Sequence, residues 1–251
     1  MEIITSVKNS LIVQTKKIKE NPGNKLFIEN PKLIKEAFLT KQSFDYVLID
    51  KDKIEKFKTE YSFLFSYKCF IVGKNVLQHL SDTKNPQGVV AIINFEDKEL
   101  KIPKSNFLVL ENIQDPGNLG TIIRSAKGTT FTDIYLINCV GYLNQKVIRS
   151  AMGNIFDVNL YKIDSTQTFI DFAKTNKLNL AMADMYGENL YNIKKSLTNF
   201  GIVIGNEGKG VSEEMRKIVK KSISIPMKNG LESLNAGVSC SIIIYYLDNI
   251  I

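Results

Sequence analysis

The sequence predicts an α/β protein of 251 residues in two domains, a small α/β domain followed by a parallel sheet covered on both faces by helices. Three observations carry this reading. From Asn106 onward, short apolar runs alternate with segments of helical spacing, the rhythm of parallel strands joined by helices. The stretch Phe95 to Ser105 (FEDKELKIPKS) mixes charges with a proline, lacks an apolar face and marks a linker. The stretch Phe200 to Tyr246 then states one pattern twice: an apolar run, a loop rich in Gly and Asn, and a helix start. The domains are therefore placed at 1–104 and 106–251, with the linker at about 95–105.

In the first domain, Ser6 to Glu20 has Val7, Leu11, Ile12, Thr15 and Ile18 near helical spacing and predicts an amphipathic helix. Asn21-Pro22-Gly23-Asn24 breaks it. Lys25 to Ile28 reads as a strand, and Pro31 stands at the first turn of a helix running to about Phe38. Tyr46–Ile49 and Cys69–Val72 are further strands, and the polar cluster Ser81 to Gly88 leads into a strand over Val89–Phe95. In the second domain the order is strand Phe107–Leu110, helix Leu119–Lys127 capped by Asn118, and strand Ile134–Ile137. A helix around Lys146–Met152, strand Leu160–Ile163, helix Phe169–Thr175 and strand Leu178–Ala183 follow. Gly201–Ile204 is a buried strand that Gly205-Asn206-Glu207-Gly208-Lys209-Gly210 must end, and Ser212 caps the next helix with Glu213 and Glu214 in its first turn. Ile223–Pro226 repeats the strand, and Asn235 caps a last helix, Ala236 to Ile251, that is apolar on nearly every side. Such a helix is covered by a second subunit or by its own domain.

Composition removes several chemistries. The net charge of +7 favours a polyanionic partner without requiring one. Cys69, Cys139 and Cys240 show no CxxC and no neighbouring His, which argues against a zinc site or a disulfide framework and for buried thiols in a reducing cytoplasm. The single histidine, His79, leaves Ser-His-Asp, Cys-His and HExxH chemistry without support. No run of about 18 apolar residues and no signal-type N-terminus occurs, so neither a membrane span nor secretion is expected. The glycine loop fails as a P-loop, because Gly210 follows Lys209 and Val203 holds the first glycine position. It fails as a dinucleotide fingerprint because Glu213 stands at the third.

Arginine is used at 124, 149 and 216 only, with lysine elsewhere. Arg124 within an apolar helix suggests a need for the planar fork or for a charge that survives burial, in a structural ion pair or in a phosphate or substrate contact.

Asn118 with Arg124, GNEGKGVS at 205–212 and SIPMKNGLESLNAGVS at 224–239 resemble, in order and spacing, the three motifs of the SpoU (TrmH-type) RNA ribose 2′-O-methyltransferases of the SPOUT superfamily. The resemblance covers residues 106–251. ITSVKN near the start and SDTKNPQGVVAI at 81–92 resemble the N-terminal substrate-binding domain of several of these enzymes, with Glu29-Asn30 in place of the Glu-Gly expected of the family. The resemblance implies a deep trefoil knot in the C-terminal domain. It implies S-adenosylmethionine held there by the backbone at Gly205, Ile225, Met227 and Leu234, with no metal. It places the functional side chains at Asn118, Arg124, Glu207, Ser233 and Asn235, and implies a cytoplasmic homodimer joined through the knot region and the last helix. The implied partner is RNA, ribosomal RNA ahead of tRNA because of the extra N-terminal domain, with that domain's lysines (Lys16, Lys17, Lys19, Lys25, Lys32, Lys35) supplying phosphate contacts. A tRNA 2′-O-methyltransferase, or a catalytically silent RNA-binding or assembly protein on the same scaffold, are the alternatives.

Overall fold

The structure, a computed structural model, describes residues 3–194 and 199–249. The chain divides into two compact units between Glu96 and Asp97. The segment expected to be a free linker belongs largely to the second unit. Within it Lys98 Nζ donates to Asn159 Oδ1 (2.6 Å) and Val158 O (3.2 Å), and the carbonyl of Lys101 accepts from the Tyr135 hydroxyl (2.6 Å). Pro103 and the charges rule out a helix or strand there but leave backbone and side chains free to dock.

The first unit holds β1 (Ile3–Ile4), α1 (Ser10–Glu20), β2 (Lys25–Ile28), α2 (Pro31–Leu39), β3 (Ser43–Asp50), α3 (Ile54–Glu60), β4 (Cys69–Val72), α4 (Lys74–Leu80) and β5 (Val89–Asn94). Its five-stranded sheet runs β1-β4-β3-β5-β2, parallel on the β1-β4-β3 side and antiparallel through β5. Ile12 and Ile18 of α1 pack with Phe27, Leu48, Val76 and Ile92, which is the apolar face the sequence spacing required. Asn9 caps α1 by accepting from the Leu11 N–H, and Asn30 caps α2 ahead of Pro31.

The second unit is the alternating α/β half: β6 (Phe107–Glu111), α5 (Pro116–Lys127), β7 (Asp133–Ile137), α6 (Gln145–Ala151), β8 (Asn159–Ile163), α7 (Thr166–Thr175), β9 (Asn179–Asn189), β10 (Phe200–Ile204), α8 (Glu213–Arg216), β11 (Lys221–Ser224) and α9 (Ala236–Asp248). The sheet order is β11-β9-β10-β6-β7-β8 and every pairing is parallel. Side chains alternate between faces. Phe107, Val109, Tyr135, Ile137 and Val203 point to one side, against Phe169 and Ala173 of α7 and Met215 of α8. Leu108, Leu110, Ile134, Leu136 and Ile202 are buried on the other, where α5 packs between α6 and α9.

Several boundaries differ from the sequence reading: α1 starts at Ser10 and not Ser6, β3 at Ser43 and not Tyr46, and α5 at Pro116 and not Leu119, and two more shifts lie in the sheet of the second unit. Strand β11 ends at Ser224, two residues before Pro226: its pairing with β9 stops at Ser224–Asn189, and proline has no N–H to extend it. Strand β9 runs to Asn189, six residues beyond Ala183, through an irregularity opposite Ser222 and Ile223. The last helix is described to Asp248, and the final two residues of the expected helix lie outside the described residues. One side of α9 (Cys240, Ile243, Ile244, Leu247) is buried within its own unit, while Val238 and Tyr245 are exposed. Among the described residues no helix is long and apolar enough to cross a membrane.

Candidate active site

The three stretches singled out from the sequence meet at the carboxyl ends of β6, β10 and β11, the end of a parallel sheet where ligands bind. The first contributor is the turn from β6 into α5. Asp115 is the N-cap, its Oδ1 accepting from the Asn118 N–H at 2.8 Å, and Pro116 occupies the first turn. Asn118 is therefore not the cap the sequence suggested. A carboxylate directly before a proline satisfies the helix end and leaves Asn118 inside the first turn with its side chain free. That side chain is buried at 5% exposure and uses both ends of its amide: Nδ2 donates to Glu207 Oε1 (2.8 Å), and Oδ1 accepts from Asn235 Nδ2 (2.6 Å).

The second contributor is the loop 205–212 after β10. It closes on itself through paired backbone hydrogen bonds between Asn206 and Gly210 (3.0 and 2.9 Å), with Gly210 at φ +69°. Gly205 is required by this closure. A Cβ there would lie 2.2 Å from the Gly210 carbonyl carbon and 2.3 Å from the Val211 nitrogen, both backbone atoms. Asn206 Oδ1 accepts from the Gly208 and Lys209 N–H groups and its Nδ2 donates to the Asn112 carbonyl, so the loop is an internally bonded turn that holds Glu207 toward Asn118. Ser212 caps α8 as expected. Arg216, at the end of α8, binds the Val211 carbonyl (3.1 Å) and the Asp184 carboxylate (2.6 Å). Burial raises the Asp184 pKa, but the Tyr186 N–H and Arg216 outweigh it and hold the carboxyl below its ordinary value.

The third contributor is the loop between β11 and α9. Asn235 caps α9 by accepting from the Val238 N–H (3.2 Å) while its amide nitrogen reaches Asn118. From Pro226 to Leu234 the one backbone-to-backbone hydrogen bond among the described residues joins Leu231 to Lys228. The N–H groups of Met227 and Leu234 are thus available to a ligand, beside the half-buried side chains of Ile225, Met227 and Leu234. Free backbone donors flanked by apolar walls suit a ligand with a flat heteroaromatic ring and polar edges.

Asn118, Glu207 and Asn235 are brought together; Arg124 and Ser233 stand apart from that cluster. Arg124 lies on the solvent side of α5, opposite the face formed by Leu119, Ile122, Ile123 and Ala126. Its exposure removes the need for a charge that survives burial and leaves the planar fork as the reason for arginine. Among the described residues neither the Arg124 nor the Ser233 side chain makes a hydrogen bond or ion pair. The thiols are less enclosed than expected: Cys240 is buried, but Cys69 and Cys139 are half-buried. Burial pushes the Cys139 thiol up to about 11, with the nearby Glu207 charge adding to the shift. Sequence reasoning passed over Glu111 and Asn112, which hold the glycine loop from below; a charge closing the apolar run FLVLE was the available signal.

The model of the SpoU rRNA Methylase family matches residues 105–245. The chain is 24% identical to the 23S rRNA (guanosine(2553)-2′-O)-methyltransferase RlmP of Bacillus subtilis, over 98% of this chain and 99% of that one. It is 29% identical to an uncharacterized tRNA/rRNA methyltransferase of Synechocystis, over 96% and 92%. Among solved structures, the AdoMet-bound rRNA methyltransferase of Sinorhizobium meliloti superposes with a TM-score of 0.86 at 20% identity, covering 98% of this chain and 97% of that one.

Proposed function

The chain belongs to the SpoU rRNA methylase family, and from that premise we propose that it transfers a methyl group from S-adenosylmethionine to a ribose 2′-hydroxyl of RNA, ribosomal RNA before tRNA. The observation that carries the proposal is the Asn118 amide, which joins Glu207 and Asn235 across 89 and 117 residues of sequence and so makes one site of three separate motifs.

S-adenosylmethionine supplies a sulfonium-bound methyl group. The chain's own part is to seat that cofactor and bring the nucleophile in line, and positioning of this kind accounts for much of the barrier reduction in methyl transfer. The backbone at Gly205, Ile225, Met227 and Leu234 would hold the cofactor, with open N–H groups at Met227 and Leu234 and apolar side chains around them. Arg124 presents an exposed guanidinium, unpartnered among the described residues, to the RNA, where it contacts a phosphate or the 2′-oxygen and stabilises that oxygen as its proton passes to solvent; the methyl moves to the oxygen and the sulfur leaves as the neutral thioether S-adenosylhomocysteine. Asn118 and Asn235 hold the two loops in register, Glu207 fixes the glycine loop against α5, and Ser233 contacts substrate from the exposed end of the second loop.

The C-terminal segment is read as the knot of the family. After edge strand β11 the chain must cross the ends of β9 and β10 to reach α5, on which α9 packs, and the hydrogen bonds of Asn118 tie that crossing to the glycine loop. A homodimer formed through this region and α9 is supported by the exposed apolar side chains of Val238 and Tyr245. The first unit is the RNA-binding domain. Of its candidate lysines, Lys19 and Lys25 are paired with Asp82 and Asp45, while Lys17, Lys32 and Lys35 are exposed and unpaired among the described residues.

Arg124→Ala tests the assignment. A fall of at least a hundredfold in kcat, with RNA affinity held within a few-fold, is expected; a kcat within a few-fold of wild type would remove Arg124 from the reaction.

A further inference from the structure

One fully buried charged side chain has no part in this scheme. Glu111, the last residue of β6, is 0% exposed. Its Oε2 accepts from the Ser212 N–H (2.9 Å), and its Oε1 accepts from the Ser212 hydroxyl (2.7 Å) and the Thr166 hydroxyl (2.8 Å). A carboxylate with no contact to water persists only when donors answer its charge, and here three do. They come from two helix starts: Ser212 is the N-cap of α8 and the end of the glycine loop, and Thr166 is the first residue of α7. The next residue, Asn112 (φ +58°), receives the Asn206 amide at the loop's other end (2.9 Å). Consecutive residues of one strand terminus therefore grip loop 205–212 at both ends. Between those grips lies Glu207, in contact with Asn118.

We infer that Glu111 is a positioning residue for methyl transfer: through Ser212 its carboxylate sets the conformation of the glycine loop, and with it the place of Glu207 and of the backbone at Gly205. An apolar residue would complete the strand FLVLE at less desolvation cost, so burying a carboxylate there answers to what it holds rather than to the core around it. The inference rests on the proposed function in one respect, that the loop serves S-adenosylmethionine.

The test is calorimetric titration of S-adenosylmethionine into wild type, Glu111→Gln, Glu111→Ala, Ser212→Ala and the Glu111→Ala/Ser212→Ala double variant, with ligand-free melting curves alongside. Glu111→Ala is expected to raise Kd at least tenfold. Glu111→Gln, whose amide can still accept from the Ser212 N–H and donate to a hydroxyl, is expected to stay within threefold. The double variant should bind no more weakly than Glu111→Ala, because both changes break one contact. A folded Glu111→Ala protein that binds within threefold of wild type while melting earlier would show a structural role only and overturn the inference, as would effects that multiply in the double variant. Should Glu111→Ala fail to fold, Ser212→Ala against Ser212→Thr decides: weaker binding restored by the threonine hydroxyl supports the positioning role, and equal binding by both and by wild type sinks it. If wild type itself bound no S-adenosylmethionine, the function reading would fall and take this one with it; binding by wild type with unaffected variants removes this one alone.

Discussion

Asn118 spends both ends of one amide on groups that have no other way to meet, so its loss should be felt in the fold and in the chemistry. Asn118→Ala leaves Glu207 Oε1 and Asn235 Nδ2 unanswered in a partly buried setting, and a destabilisation of about 1–3 kcal/mol is expected from denaturant melts. Asn118→Asp should be worse at pH 7, because it sets a second carboxylate against Glu207. One of such a pair has a raised pKa, so the penalty should shrink as pH falls toward 5, whereas that of Asn118→Ala should not. Melting curves across that range separate the two. At Cys139, a thiol pushed up to about 11 holds only about a thousandth of its population as thiolate at pH 8, so alkylation of the folded protein should be slow and that of the denatured protein fast. The motif singled out Asn118 in the sequence, but its bonds to Glu207 and Asn235 and its place inside the first turn could not be read there. Asn before an apolar run looks like a cap, and only the choice of Asp115 ahead of Pro116 frees it for the site. Arg124 stood out as the rare arginine of a lysine-rich chain, while its exposure depended on the helix phase set by burying Leu119, Ile122, Ile123 and Ala126, with α6 and α9 packed alongside.

At the level of elements, most of the sheet could be read in advance because parallel strands buried on both faces are short β-branched runs between loop signals. What escaped was pairing beyond the run. The extension of β9 to Asn189 leaves its Met185 and Tyr186 exposed and follows from its partner β11 and from the Asp184–Arg216 contact, neither of which leaves a buried apolar run in the sequence. That contact has a definite pH dependence. With the folded pKa of Asp184 below the ordinary carboxylate value of 3.8, its stabilisation is complete above that value and is lost as pH falls through the lower folded pKa. Asp184→Asn should therefore lower the melting temperature at pH 7, with the difference from wild type closing below pH 3.8. Helix α5 is held close to α6 at Gly120, where a Cβ would stand 2.3 Å from Ser150 Cβ and 2.8 Å from the Val147 carbonyl oxygen. Gly120→Ala must push the helices apart, at an expected cost of about 1–3 kcal/mol in chemical denaturation. The same shift should displace Asn118, two residues earlier on the helix, and weaken cofactor binding as well.

For the whole molecule, the division between Glu96 and Asp97 separates the unit that holds the candidate phosphate-binding lysines from the unit that carries the candidate site, both with a net positive charge. The division falls at the start of the stretch 95–105 read as a linker, ahead of the boundary placed at 104; that the stretch docks by Lys98 and the Lys101 carbonyl could not be seen, since those contacts join positions far apart in sequence. If the first unit supplies phosphate contacts, replacing Lys17, Lys32 and Lys35 by Ala should weaken RNA binding and flatten its salt dependence by about one unit of log–log slope per lost contact, while Lys19→Ala and Lys25→Ala leave the slope unchanged. Filter-binding titrations over a salt series give both numbers. The central claim is that the joined loops transfer a methyl group to a ribose oxygen. It is tested most directly by incubating the protein with ribosomal RNA and S-adenosylmethionine labelled in its methyl group, digesting the RNA to nucleosides and locating the label. Label in a 2′-O-methylnucleoside, lost with Arg124→Ala, is the expected result; label on a base, or none in RNA while the cofactor binds, would contradict it.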